Sequence, residues 1–220
     1  MDIRLILVQA FVILFAITIH EAAHAWTANK MGDPTAAALG RASLNPLVHI
    51  DPIGTIILPA ILIYFSVQTG GRSPVFGWAK PVPYNPYNLR RPKRGGLWIS
   101  FAGPISNILT AGTAVLLFRL LKPFGARIID ASALSRPIEG LSVILLFTAL
   151  INISLAVFNL IPIPPLDGSG ILAGLLSGKA AASYEKLRPY GFFLLIVLMY
   201  SGALTFVFTP VQNLILRLFS

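Results

Sequence analysis

His20, Glu21 and His24 form the run His-Glu-Ala-Ala-His inside an apolar stretch. On a helix, residues four apart share a face, so His20 and His24 can offer their imidazoles to one ion. Glu21, beside the first of them, can act as general base on water at that ion, the logic of H-E-x-x-H hydrolases. The plain alternative is a pair of helix histidines bonded to their neighbours. Three ionisable side chains within five residues of an apolar span are costly in a bilayer, which favours the metal reading. A hydrolytic zinc site takes three protein ligands and keeps one position open. Asp167 is the best third candidate. It lies in the run Ile161 to Gly170, which is broken by Pro162, Pro164 and Pro165. Irregular backbone at membrane depth is tolerated only where it is buried in protein or lines a polar cavity. Asp33, Asp51, Asp130, Glu139 and Glu185 read instead as solvated charges in loops or at span ends. His49, the remaining histidine, is either a gating ligand or an interfacial histidine bonded to backbone. Two imidazoles and one carboxylate, in a chain without cysteine, suit Zn2+.

These residues need helices to hold them. Apolar runs are expected to form helices over about Ile3 to Trp26, Leu97 to Leu121, Leu141 to Leu160 and Gly191 to Leu218. Ile53 to Val67 is apolar but short, with Gly54 and Pro59 inside it. Residues 70 to 96 are basic and rich in proline. Within them, Gly77 to Pro83 suggests short extended pieces: an edge for strand addition, or an interfacial loop with Trp78 anchored at the headgroups. Asn107, in the Leu97 helix, either reaches the site or joins helices through hydrogen bonds. Gly103 and Pro104 are expected to serve close packing and a local bend.

Composition fixes the class. Of 220 residues, 55% are hydrophobic and 11% charged, and the mean hydropathy is +0.77. Soluble domains carry about 25% charge, so this is a polytopic, all-α membrane protein of about four to five spans, with residues 1–220 as a single membrane-embedded domain. The N-terminal helix reads as retained, since it runs directly into the charged motif. The net charge of +9 reflects basic loops between spans and is not a nucleic-acid footprint.

The chain resembles the site-2 protease family of intramembrane metalloproteases. The match is carried by His-Glu-Ala-Ala-His at 20–24 together with Asn-Leu-Ile-Pro-Ile-Pro-Pro-Leu-Asp-Gly at 159–168. Ala-Gly-Pro-Ile-Ser-Asn at 102–107 also fits. Residues 40–55 and 77–83 resemble the short prokaryotic branch, which lacks PDZ and CBS domains. The resemblance implies zinc on His20, His24 and Asp167, with Glu21 as base. It implies that Asn159, and Asn107 if it reaches the site, hold the substrate backbone or the oxyanion. It further implies hydrolysis of membrane-anchored protein substrates in or near their transmembrane segments, in a bacterial or archaeal plasma membrane. Two rivals are a catalytically silent adaptor of the same fold, which would have no need of Glu21, and a metal-ion transporter, whose mid-span carboxylates are missing.

A shared metal sets a parity condition. His20 and Asp167 both follow apolar helices and must lie at one depth, so those helices run in the same direction with an odd number of crossings between them. Residues 97–121 supply one crossing, and residues 53–67 are therefore expected to dip in and return. One side then receives Lys30, Arg41, Arg72, Lys80, Arg90, Arg91, Lys93, Arg94, Lys179, Lys186 and Arg188, and the other Arg4, Arg119, Lys122, Arg127, Arg136 and Arg217. The richer side is expected to be cytoplasmic and to carry the site.

Overall fold

A computed structural model of the chain describes residues 3–58, 60–62, 64, 77–125 and 136–220. No β-strand occurs among them. Three helices are long and apolar enough to cross a bilayer: α1 (Ile3–Lys30), α3 (Pro92–Leu121) and α4 (Pro137–Asn159). The short helix α2 (Thr35–Ala38) follows α1. Past α4 come α5 (Asp167–Leu175), α6 (Gly178–Glu185), α7 (Gly191–Tyr200) and α8 (Ala203–Phe219). The last apolar run, expected as one helix, is broken: the two helices of the run that ends it meet at 67°. Gly202, at φ 75°, takes the left-handed conformation that turns the chain there. Among the described residues the span count is thus three, or four with this bent pair. The apolar helix Pro52–Leu62 is shorter than a crossing requires.

Cross-helix hydrogen bonds set the directions. His20 pairs with Asn107, Asn107 with Ala16, and His24 with Ile99, so α1 and α3 are antiparallel. Asn107 also bonds Asn152. Toward the other end of α3, Ala114 and Phe118 pack on Ala149 and Leu145, so α4 is antiparallel to α3 and parallel to α1. The parity condition is met. At the end away from His20, Phe118 stacks on Phe219 with centroids 4.5 Å apart, and Ile215 completes the cluster. At the His20 end, α5 lies close against α3. A Cβ on Gly174 would fall 2.6 Å from that of Leu97, and one on Gly170 would strike the Ser100 hydroxyl. Small residues let helix backbones approach in this way where apolar area alone gives no advantage over lipid.

The loops beyond α1 and before α3 form one layer. The Arg90 amide donates to the Met31 carbonyl (3.1 Å), that of Lys80 to His49 (2.9 Å) and that of Trp78 to Gly54 (3.0 Å). The chain is therefore back at the level of Gly54 by Trp78, and residues 31–51 and 77–91 share a side. The expected dip of residues 53–67 lies in part outside the described residues, as do Arg72, Arg127 and Asp130. Gly77 to Pro83 forms no strand, and its amides at 78, 80 and 82 are all engaged by the protein.

Asp33 corrects the reading of loop acids as solvated. It is fully buried. Its carboxylate accepts from the Thr35 amide and hydroxyl, the Asn85 amide and the Asn88 side chain. Burial alone would raise its pKa, but the Thr35, Asn88 and Asn85 donors outweigh it and hold the carboxyl at about 2. Asp51 caps the turn that begins at Pro52, accepting from the Ile53 and Gly54 amides.

Two predictions follow from this layer. A group whose folded pKa is depressed stabilises the fold above its unfolded pKa and loses that contribution as pH falls through the folded value. Asp33→Asn should therefore lower the Tm in detergent by roughly 5 °C at neutral pH. The gap to wild type should close between pH 3.8 and about 2, as followed by thermal denaturation at several pH values. Topology is checked with single cysteines, since the chain has none of its own. Ser43→Cys and Tyr87→Cys should react with an impermeant thiol reagent from one face of the membrane, and Phe124→Cys from the other.

Candidate metal centre

His20 and His24 project from one face of α1, and Asp167 arrives as the first residue of α5 after the proline-broken turn. One ligand atom from each lies within 4.8 Å of the others. His20 Nε2 is 3.0 Å from Asp167 Oδ2, and His24 Nε2 is 3.3 Å from Asp167 Oδ1. Both histidines are buried. No other such group of His, Cys, Asp and Glu occurs among the described residues.

Hydrogen bonds outside the triangle fix which nitrogens carry protons. Asn107 is fully buried. Its side-chain NH2 donates to the Ala16 carbonyl (3.1 Å) and to Asn152 Oδ1 (2.7 Å). Asn152 in turn donates to the Thr148 carbonyl. Both amide hydrogens of Asn107 are thereby used, and its Oδ1 is left to accept from His20 Nδ1 at 2.5 Å. His24 Nδ1 likewise donates to the Ile99 carbonyl at 2.6 Å. These partners place the protons on Nδ1 by the logic of the network and turn both Nε2 lone pairs inward. Asp167 Oδ2 is buried and has no hydrogen-bond partner among the described residues, and His20 Nε2 lies 3.0 Å from it. Two Nε2 atoms and a carboxylate thus converge, a donor set that a divalent cation fits.

The helix backbone beside the pair is bare. A Cβ on Gly103 would fall 2.5 Å from His20 Cε1 and from His24 Nε2, so only glycine lets α3 pass the two imidazoles here. Pro104 has no amide to bond the Ser100 carbonyl one turn back. Just before that break, the Ile99 carbonyl takes the His24 proton.

The remaining candidates lie as follows. Glu21 is half-buried on the next α1 position, and its Oε2 accepts from the Val82 amide at 3.3 Å. Asn107 is brought to the centre, but as the acceptor that orients His20; with both its hydrogens engaged it has none for a substrate or an oxyanion. Asn159 ends α4 and donates to the Leu155 carbonyl on its own helix. His49 bonds the Ser43 carbonyl through Nε2 and stands outside the metal-ligand group. Sequence reasoning missed Asn152 and the Val82 amide, and it assigned Gly103 to close packing without placing it against the two imidazoles. Asn152 carried a signal, being a polar side chain inside an apolar span; a backbone amide carries none.

Partners of metal-ligating histidines set affinity at the level of 10–100-fold. Asn107→Leu should weaken zinc binding by roughly that factor, and Gly103→Ala by at least as much, when each is titrated against a competing chelator. Unchanged affinity in both would contradict the arrangement described.

Comparisons with known proteins identify the family. A family model described as peptidase family M50 matches residues 8–199. "Putative zinc metalloprotease YwhC" of Bacillus subtilis (strain 168) is 34% identical over 212 residues, covering 94% of this chain and 89% of that protein. "Putative zinc metalloprotease Rip2" of Mycolicibacterium smegmatis is 28% identical over 193 residues, covering 87% of this chain and 66% of the relative. The protein of the same name from Mycobacterium tuberculosis (strain H37Rv) is 27% identical over 192 residues, with 87% and 66% covered. No solved structure matches. With its motifs at 20–24 and 159–168 inside a family match over residues 8–199, the chain belongs to peptidase family M50, the site-2 protease family.

Proposed function

We propose that this metalloprotease hydrolyses peptide bonds of membrane-anchored proteins within the bilayer, using zinc held by His20, His24 and Asp167 and Glu21 as general base. The observation that carries the reading is the convergence of the two Nε2 atoms and the Asp167 carboxylate within 4.8 Å, with both Nδ1 protons committed elsewhere. Depth supports the intramembrane part. His20 lies ten positions before the end of α1, about 15 Å along the helix axis, on a segment apolar enough to span.

Zinc, when bound, polarises a carbonyl and acidifies water. The residues of the chain do the rest. Glu21 takes the proton of the attacking water and returns it to the leaving nitrogen. The Val82 amide holds one oxygen of that carboxylate, which steadies it beside the His pair. Asn107 and Ile99 keep the imidazoles in the tautomer that leaves Nε2 unprotonated. Asn159, at the end of α4, stands where the chain turns toward Asp167 and is the candidate to bind the substrate backbone. The site-bearing face is the cytoplasmic one, since Lys30, Arg41, Lys80, Arg90, Arg91, Lys93, Arg94, Lys179, Lys186 and Arg188 gather there.

The deciding experiment uses purified protein and a single-span substrate. Glu21→Gln keeps the shape of the side chain but cannot accept the proton. It should retain zinc by elemental analysis and lose cleavage by at least about 10²-fold. Asp167→Ala should lose both zinc and activity. Turnover by Glu21→Gln at the wild-type rate would sink the mechanism, and full zinc occupancy in Asp167→Ala would remove that ligand.

A further inference from the structure

The ends of α1 and α3 that carry the basic layer enclose a cavity of about 390 Å³. Lys30, Arg90, Arg91 and Arg94 line it, together with Trp98. We propose that this cavity binds the phosphate headgroup of an anionic phospholipid.

Charge is the first argument. The ion pairs among the described residues include Arg136–Glu139, Arg188–Glu185 and the histidine contacts of Asp167. None involves the four cations of the cavity. Asp33, close by in the sequence, is buried and already accepts four hydrogen bonds, so it is not free to neutralise them. Four like charges around one space repel unless an anion sits between them.

Rigidity is the second argument. Basic residues scattered over a cytoplasmic loop satisfy the positive-inside rule without forming a site. These four stand on backbone that is locked. The Arg90 amide bonds the Met31 carbonyl. Gly32, at φ 111°, lets the chain pass within contact of Asn88 and Arg90. Gly95 packs on Leu89, which is buried with Ala28 and Ile99. The Asp33 clasp ties residues 85 and 88 to the end of α1. The backbone that carries the four cations is therefore in place before any ligand arrives, and arginine forks match phosphate oxygens.

Depth is the third argument. Lys30 is the last residue of α1, and Trp98 lies in the second turn of α3, nearly half exposed. Tryptophan at a helix end marks the headgroup level. The cavity thus opens where lipid phosphates lie, and basic pockets between helices on the cytoplasmic side bind anionic headgroups. A headgroup seated there would join the end of α1 to the start of α3, the helices that hold the two histidines and the groups that bond them.

The test needs no cleavage assay, so its failure is separate from that of the proposed activity. The full chain is purified, delipidated in detergent and titrated with phosphatidylglycerol or phosphatidylcholine. Retained lipid is counted by native mass spectrometry and stability is read from the Tm. Wild type should retain one phosphatidylglycerol, bound roughly tenfold or more tighter than phosphatidylcholine, with a rise in Tm. Arg90→Gln/Arg94→Gln should lose that preference, while Lys179→Gln/Lys186→Gln, which removes equal charge on the same side outside the cavity, should keep it. If the first pair does not stay monodisperse, Arg91→Gln alone should show the same loss to a smaller degree. Equal loss in the Lys179/Lys186 pair would overturn the proposal, as would phosphatidylcholine binding as tightly. Inorganic phosphate reproducing the stabilisation without lipid would also overturn it, since the ligand would then be the free ion.

Discussion

His20, His24 and Asp167, from two distant parts of the chain, meet inside a low-dielectric interior, and most of the architecture can be traced to that convergence. His20 and His24 fix the depth. Asp167 must return to it, so α4 runs parallel to α1 with α3 threaded between them in the opposite sense. The proline-broken stretch 161–166 is the means of return. Regular helix would carry the chain onward, whereas the irregular turn brings Asp167 back against the two imidazoles. Protein packs on this backbone where glycine allows it, Gly168 against the Leu160 and Ile161 carbonyls and Gly191 against that of Pro164, and irregular backbone at depth is tolerated where protein buries it.

The centre is tuned from outside its own triangle. The Asn152–Asn107–His20 chain is a relay of amide orientations: Thr148 and Ala16 accept hydrogens, which leaves one oxygen to receive the His20 proton. In a medium without water, a half-satisfied relay would cost more than none. Every hydrogen of Asn107 is accordingly placed, and the relay spans α1, α3 and α4 at once. The same bonds that hold the three helices together set the chemistry of the ligand. Gly103 belongs to this arrangement by its lack of a side chain, since a methyl group would occupy the space of both imidazoles.

The layer over the site links it to the membrane surface. Asp33 gathers the loop before α3 onto the end of α1, and that loop carries Val82, whose amide reaches Glu21. The same clasp shapes the basic cavity beside Trp98. One buried carboxylate outside the spans therefore supports both the position of Glu21 and the wall of the basic cavity.

The three residues that converge at the centre were legible in the sequence because their signals are local. Helical spacing sets His20 beside His24, ionisable groups in apolar runs are costly, and prolines at 162, 164 and 165 mark a broken span around Asp167. Membrane class and the approximate bounds of α1, α3 and α4 followed from run length and composition alone, and the parity of the helices followed from the ligands themselves. Tertiary structure decided what depends on partners far apart in the chain. Asn107 became the orienting acceptor of His20 because Asn152 and Ala16 take its hydrogens. Asp33, which resembles any loop acid in the sequence, became a buried clasp because Asn85 and Asn88 fold onto it. The final apolar run broke at Gly202, where glycine alone enters the left-handed turn without strain. The Val82 amide is a backbone group common to nearly every residue; only the path of the loop over the site distinguishes it.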